Sequence, residues 1–235
     1  MIRVAAVGDV HAGLDCVGCL GLETLDDQAD LLLLAGDLTR IGDPAEAEVL
    51  ARELSGVTLP VVAVLGNHDH HSDQPDQIRK CLESAGVTVL EGEAATLTVN
   101  DVNIGIAGVK GFGGGFAGAS GSDFGEPEMK AFVRHTKGIA SSLERQLAEL
   151  RSDVRIALLH YSPIEATLQG ERLEIYPFLG SYLLGEAIDR AGADLVLHGH
   201  AHAGSERGFT PAGVRVRNVA KPVIRDSYRV FELPD

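Results

Sequence analysis

Seven side chains that sit just after short apolar runs have the chemistry to hold metal ions: Asp9, His11, Asp37, Asn67, His160, His200 and His202. Carboxylate oxygens, one amide oxygen and imidazole nitrogens suit borderline divalent transition metals such as Mn, Fe or Zn better than Ca or Mg. The set exceeds what one tetrahedral ion takes. It matches two ions that share a carboxylate and leave positions open for water and substrate. The stretch "HGHAH", residues 198–202, concentrates three imidazoles at alternate positions. An extended chain would present all three on one face, and a core makes poor use of them, because each brings polar nitrogens that need partners. His200 and His202 can each reach a different ion. His198, at the end of Leu195-Val196-Leu197, reads as a structural or supporting histidine.

These residues need a frame that gathers them. The runs "IRVAAV", "LLLLA", "VVAVL", "IALL" and "LVL" are short, apolar and bounded by glycine or polar residues, the pattern of buried strands. Helical patterns lie between them at residues 45–54, 76–85, about 126–150 and 180–191, the first preceded by an Asp43-Pro44 start signal. From residue 87 the pattern changes. "VTVL", "ATLTV" and "VNIGIAGV", and later "VRVRNVA" and "YRVFEL", suggest strands joined by hairpins and hence mixed sheets. The expectation is one α/β domain over 1–235. It is a four-layer α/β/β/α sandwich, two mixed sheets flanked by helices, with the metal site at the carboxyl ends of the strands. Gly8, Gly36, Gly66 and Gly199 each precede a candidate ligand, where a sharp turn is expected.

Taken in order, "GDVH" at 8–11, "GD" at 36–37, "GNHD" at 66–69, His160 and "GHAH" at 199–202 resemble the calcineurin-like metallophosphoesterase family. The resemblance spans residues 8–202, and no ligand position is missing. It implies that Asp9, His11, Asp37 and His202 bind one metal, that Asp37, Asn67, His160 and His200 bind the other, and that Asp37 bridges. It also implies that His68 is not a ligand but faces the leaving oxygen as acid or electrostatic stabiliser. Asp69 would then hold the His68 imidazole in its useful tautomer. Two cations would lower the pKa of a bridging water, and the hydroxide would attack phosphorus in line. Hydrolysis of a small phosphodiester is the expected activity. Phosphomonoester or nucleotide hydrolysis is the alternative, and a non-catalytic interaction scaffold a more distant one.

Composition sets the outer limits. The chain has 235 residues, 45% of them hydrophobic, and a formal net charge of −14, so long nucleic acid is not an expected partner. No run reaches the length of a membrane span, and the N-terminal apolar run is too short for a signal peptide, which predicts a cytoplasmic protein with no membrane partner. Cys16, Cys19 and Cys81 give no disulfide framework and read as ordinary thiols. Some stretches remain without a firm role. "VKGFGGGF", 109–116, lacks the arrangement of a phosphate loop and reads as a hairpin or hinge, in which Phe112 or Phe116 could stack on substrate. Tyr161, Arg172 and Tyr176 could reach a substrate. Arg172 more simply pairs with Glu171 or Glu174, and His70 and His71 read as solvated.

Overall fold

In the computed structural model, which describes residues 1–234, the apolar runs are strands and the amphipathic stretches between them are helices. In chain order come β1 (Ile2–Val7), α1 (Leu25–Gln28), β2 (Leu31–Ala35), α2 (Pro44–Leu54), β3 (Val61–Val64) and α3 (Pro75–Ser84). Next are β4 (Thr88–Val89), β5 (Glu93–Val99), β6 (Val102–Val109), the small pair β7 (Gly115–Phe116) and β8 (Ala119–Ser120), and the long α4 (Pro127–Glu149). The remainder holds β9 (Val154–Leu159), α5 (Tyr176–Leu179), α6 (Tyr182–Ala191), β10 (Leu195–His198) and β11 (Arg207–Phe209). It ends with β12 (Arg215–Asn218), α7 (Lys221–Ile224) and β13 (Arg229–Leu233). The α2 start follows its signal: the Asp43 carboxylate accepts the Ala45 N–H, with Pro44 in the first turn.

One sheet has the order β13-β1-β2-β3-β4, parallel except for β13. The other runs β11-β12-β10-β9-β6-β5, with a parallel centre and antiparallel β11 and β5 at its edges. Alternation along the central strands of the second sheet divides the core. Ile104, Ile106, Ile156, Leu158, Leu195 and Leu197 pack toward the first sheet. Their neighbours Ala107, Val109, Ala157, Leu159 and Val196 pack with Leu143 and Leu147 of α4 and Leu184 and Ile188 of α6. Both faces of these strands are buried, which is why they read as continuous apolar runs. The α/β/β/α arrangement agrees with the expectation.

The registers put the strand ends level. Val7 pairs with Leu34, Ala35 with Val64, Val109 with Leu159 and Leu158 with Leu197. The residues that follow these strands therefore meet at one edge of the sandwich.

Three expectations about connections are corrected. The stretch "VTVL" forms no hairpin, because the ten-residue α3 makes a crossover and β4 pairs parallel with β3. The last two runs do not pair with each other. β12 lies parallel to β10, and α7 carries the chain back so that β13 edges the other sheet beside β1. Cys16 and Cys19 are joined in a disulfide with Cα atoms 5.2 Å apart rather than standing as thiols; the tight loop, with Gly18 at φ +65°, brings them within bridging range. Among the described residues no helix is long and apolar enough to cross a membrane.

Candidate metal centre

The loops after β1 and β2 are zipped together. Asp9 N–H donates to Gly36 O, His11 N–H to Asp37 O and Ala12 N–H to Leu38 O, at 2.9–3.0 Å. Along this zipper the chain takes conformations that side chains normally avoid: φ is +56° at Asp9, +45° at His11 and +49° at Asp37, and His200 has +70°. Four of the seven candidate donors thus sit in the left-handed region, which costs about 1–3 kcal/mol each and clusters at functional sites. The glycines act differently from expectation. Only Gly36 combines a positive φ with its position before a donor. At Gly66 a Cβ would overlap Asp37 N and Oδ1, and at Gly199 it would overlap Asp9 Oδ2, so close approach to the carboxylates, not turn geometry, excludes a side chain there.

Asp37 lies at the centre, 1% exposed. Its Oδ1 accepts the His68 N–H at 2.8 Å and lies 3.3 Å from His160 Nε2; its Oδ2 lies 3.8 Å from His11 Nε2 and 3.9 Å from His68 Nε2. Asp9 faces His202 Nε2 at 2.8 Å and accepts the His200 N–H. Burial pushes the Asp9 carboxyl up to about 6, while the bond to Asp9 raises His202 above the usual imidazole range. Three groups of donors lie within 4.8 Å of one another: Asp9, His11 and His202; Asp37, His160 and His200; and His11, Asp37 and His68.

The hydrogen bonding of this cluster fits cations. His160 Nδ1 lies 3.0 Å from Ala35 O, so it donates there and Nε2 keeps its lone pair. That lone pair faces the Asp37 carboxylate and, at 2.9 Å, Asn67 Oδ1. Burial holds His160 near 3, so no proton relieves the crowding of acceptors. His200 is also held near 3 by burial, with Nε2 directed at Phe178 O and Nδ1 left for an ion. Both ring nitrogens of His11 are buried without any hydrogen-bond partner. A neutral imidazole that donates nothing and lone pairs aimed at carboxylates are what a metal centre requires before the metal is added.

Residues 2–204 match the family model described as calcineurin-like phosphoesterase. The chain belongs to that family. Membership supports metal-dependent phosphoester hydrolysis, and the His/Asp clusters are able to bind metals. No curated protein sequence matches the chain. Among solved structures, the phosphopantetheinyl hydrolase of Mycobacterium tuberculosis aligns over 99% of this chain and 96% of its own, at 17% identity and TM-score 0.75. A candidate 5′-nucleotidase from Staphylococcus aureus has TM-score 0.60 and 15% identity over 92% of this chain and 48% of its own. A protein from Thermus thermophilus has TM-score 0.57 and 16% identity over 98% of both. These likenesses concern the fold. The strands β11, β12 and β13, beyond the matched residues, complete the two sheets.

The remaining candidates divide. His68 is half-exposed, and its Nδ1 lies 2.6 Å from Arg40 O, edge-on to His11 with ring centroids 4.5 Å apart. Asp69 does not touch the His68 ring. It is fully buried and accepts N–H bonds from Leu38, Thr39 and Gly66 and the Thr39 hydroxyl, so the carbonyl of Arg40 sets the His68 tautomer instead. His198 faces away from the cluster. The strand runs to His198, which shares the face of Val196 and bonds Thr167 Oγ1 and Gly199 O; the turn after it carries only His200 and His202 to the site. His198 is thus a structural histidine, as the sequence suggested, because the extended chain ends there.

Tyr161, packed 4.3 Å from the His200 ring and pushed up to about 12 by burial, adjoins the cluster. Tyr176 does not, since its hydroxyl donates to Leu168 O in a buried setting. Arg172 is exposed and takes part in no ion pair with Glu171, whose carboxylate instead accepts the Ala203 N–H. Phe116 is buried and unavailable for stacking, whereas Phe112 is half-buried against His135 and Tyr161. The 109–116 stretch is pinned rather than hinged, with Gly114 N–H on Pro177 O and Gly115 N–H on Gly180 O. His71 is exposed, but His70 is not simply solvated: its Nε2 is buried and has no partner. Lys110 follows β6 as Asp9 and His160 follow their strands, and that position was its signal.

Proposed function

We propose that the chain is a dinuclear metal-dependent phosphodiesterase acting on a small phosphodiester. The observation that carries this reading is Asp37, a buried carboxylate common to two donor groups and placed between His11 on one side and His160 on the other. Asp9, His11, Asp37 and His202 would hold one ion, and Asp37, Asn67, His160 and His200 the other. Bound there, two divalent ions supply Lewis acidity toward the phosphoryl group and toward water.

The chain's own groups prepare the rest. The strained, zipped loops hold the carboxylates in place before substrate arrives. His68, with Nδ1–H donating to Arg40 O, keeps Nε2 at the open rim, where it can hold a proton toward a departing alkoxide. A departing alkoxide needs a proton or strong stabilisation at the leaving oxygen, the place His68 can serve. The acidic chain would disfavour a long polyanion, which leaves a small ester.

The test compares wild type with Asp37→Asn, each supplied with Mn or Zn, on alkyl aryl diesters and on monoesters. Wild type should carry close to two ions, hydrolyse diesters in preference and lose activity with chelator. Asp37→Asn should lose turnover together with occupancy of both sites. Normal metal content in that variant, or preference for monoesters in wild type, would overturn the assignment.

A further inference from the structure

Beside the donor cluster lies a cavity of about 470 Å³, lined among others by His70, Glu91, Lys110, Arg134, His135 and Ser142. It shares a wall with the cluster. The carbonyl of Lys110 accepts the N–H groups of both His160 and Tyr161. The Phe112 ring lies 4.7 Å from His135 and 5.9 Å from Tyr161, whose ring in turn lies 4.3 Å from His200. His70 occupies the same helical turn as His68. The cavity therefore adjoins the Asp37–His160–His200 half of the cluster.

The lining has an unusual charge for a chain of net −14. Lys110 is partly buried, with its ammonium 5.8 Å from the Phe112 ring centroid, and it forms no ion pair among the described residues. Burial disfavours its charged form, a cost that a bound anion would offset. The cavity's one carboxyl, Glu91, attracts the Lys110 ammonium without forming an ion pair with it. Glu91 accepts the Leu65 N–H, and burial pushes it up to about 7, toward the neutral acid. Arg134 is engaged by Asp123 outside. His70 supplies a buried Nε2 without a partner, and the His135 ring stands edge-on over Phe112. Val109 and Ile139 give the lining an apolar portion. An ammonium, an orphaned imidazole nitrogen and a second imidazole beside apolar surface make a place for an anion at the end of an organic arm.

We propose that this cavity is a second anion subsite, in which Lys110, His70 and His135 hold a terminal phosphate on the organic arm of the ester attacked at the metal centre. This rests on the phosphoesterase reading above. It narrows the substrate class to small phosphodiesters that carry a further phosphate group. The acidic surface and the Lys110 cavity then act together, admitting a small ester and selecting the one that carries a second anionic group.

The experiment uses metal-loaded full-length protein and matched p-nitrophenyl alkyl phosphates, with and without a terminal phosphonate, over a graded series of methylene spacers. At the spacer that spans the two sites, kcat/KM for the phosphonate-bearing ester should exceed that of its neutral-ended partner by about tenfold or more, the scale of one charge-assisted hydrogen bond. Lys110→Met should bring the ratio close to one, Lys110→Arg should retain most of it, and His135→Gln should lower it from a different element. Metal content and circular dichroism of each variant exclude a folding defect as the cause. No preference at any spacer, or a preference that survives Lys110→Met, overturns the subsite. Failure of the phosphoesterase reading looks different, because then no ester is turned over with either metal. In that case the same compounds are titrated calorimetrically as ligands, and Lys110-dependent tightening by the phosphonate end still decides whether the cavity binds anions.

Discussion

His68 stands beside the donors without being tied to them. Its Nδ1 is committed to Arg40 O, its Nε2 lies 3.9 Å from Asp37 Oδ2, and the ring is half-exposed. Those contacts permit two roles, proton donor at the leaving oxygen or additional ligand beside His11 and Asp37, and the roles separate by leaving group. An alkoxide needs a proton or strong stabilisation, whereas p-nitrophenolate departs as a stable anion. Loss of a general acid costs about 10²–10⁴ in rate where protonation matters. His68→Ala should therefore cut kcat/KM severely on alkyl esters, cut it much less on p-nitrophenyl esters, and leave metal content unchanged. A leaving-group series with elemental analysis measures this. Equal losses along the series reject the acid role, and loss of metal would place His68 among the ligands. Residue types and spacing made His68 visible in the sequence, as they did the seven donors. They did not reveal what holds its ring, because the partner is a main-chain carbonyl, which leaves no mark in residue identity.

At the scale of elements, the centre depends on how the β1 and β2 loops and the turn after β3 are joined. Asp69 does the joining, through N–H groups from both the β2 loop and the β3 end together with the Thr39 hydroxyl. Asp69→Ala would leave three buried N–H groups without acceptors, a loss of about 3 kcal/mol or more. The variant should unfold at lower urea concentration, and any fall in activity should be uniform across leaving groups, because the carboxylate touches no part of the His68 ring. A leaving-group-dependent fall would return Asp69 to the role of orienting that ring. Strand positions, the main helices and the edge where ligands gather were legible, since apolar runs ending in polar residues mark strand ends directly. Pairing was not. The sequence of β4 is compatible with a hairpin, and only the crossover by α3 makes it parallel to β3. Likewise "HGHAH" reads as one extended face until the turn at Gly199 separates His198 from the other two. Long-range bonds decide both cases, and local pattern carries no record of them.

For the molecule as a whole, the two halves of the centre differ in how protons compete with metal, and the difference follows from burial. His160 and His200 are held near 3, so above that pH neither takes a proton that an ion must displace. On the other side Asp9 is pushed up to about 6, and His202, bonded to it, lies above the usual imidazole range. Ligands must be deprotonated to bind, so metal affinity falls wherever a ligand gains a proton. The sign is therefore the same for both members of the Asp9–His202 pair: as pH drops toward and through 6, each takes up a proton and disfavours the ion at Asp9, His11 and His202. The two imidazoles that serve the other ion, His160 and His200, offer no such competition there. Acidification should thus release the metals in two steps, leaving about one ion per chain in a window below about pH 6. Because a ligand bound only to the folded state stabilises it by RT ln(1 + [L]/Kd), about 2.7 kcal/mol at a hundredfold excess over Kd, the first release should also lower the melting temperature while the second ion still holds. Metal content and thermal unfolding measured across this pH range check the order. Replacing His202 with Ala should remove the first step and keep the second. Simultaneous release of both ions would mean that the two halves titrate as one, and that Asp37, rather than the Asp9–His202 pair, sets the response to acid.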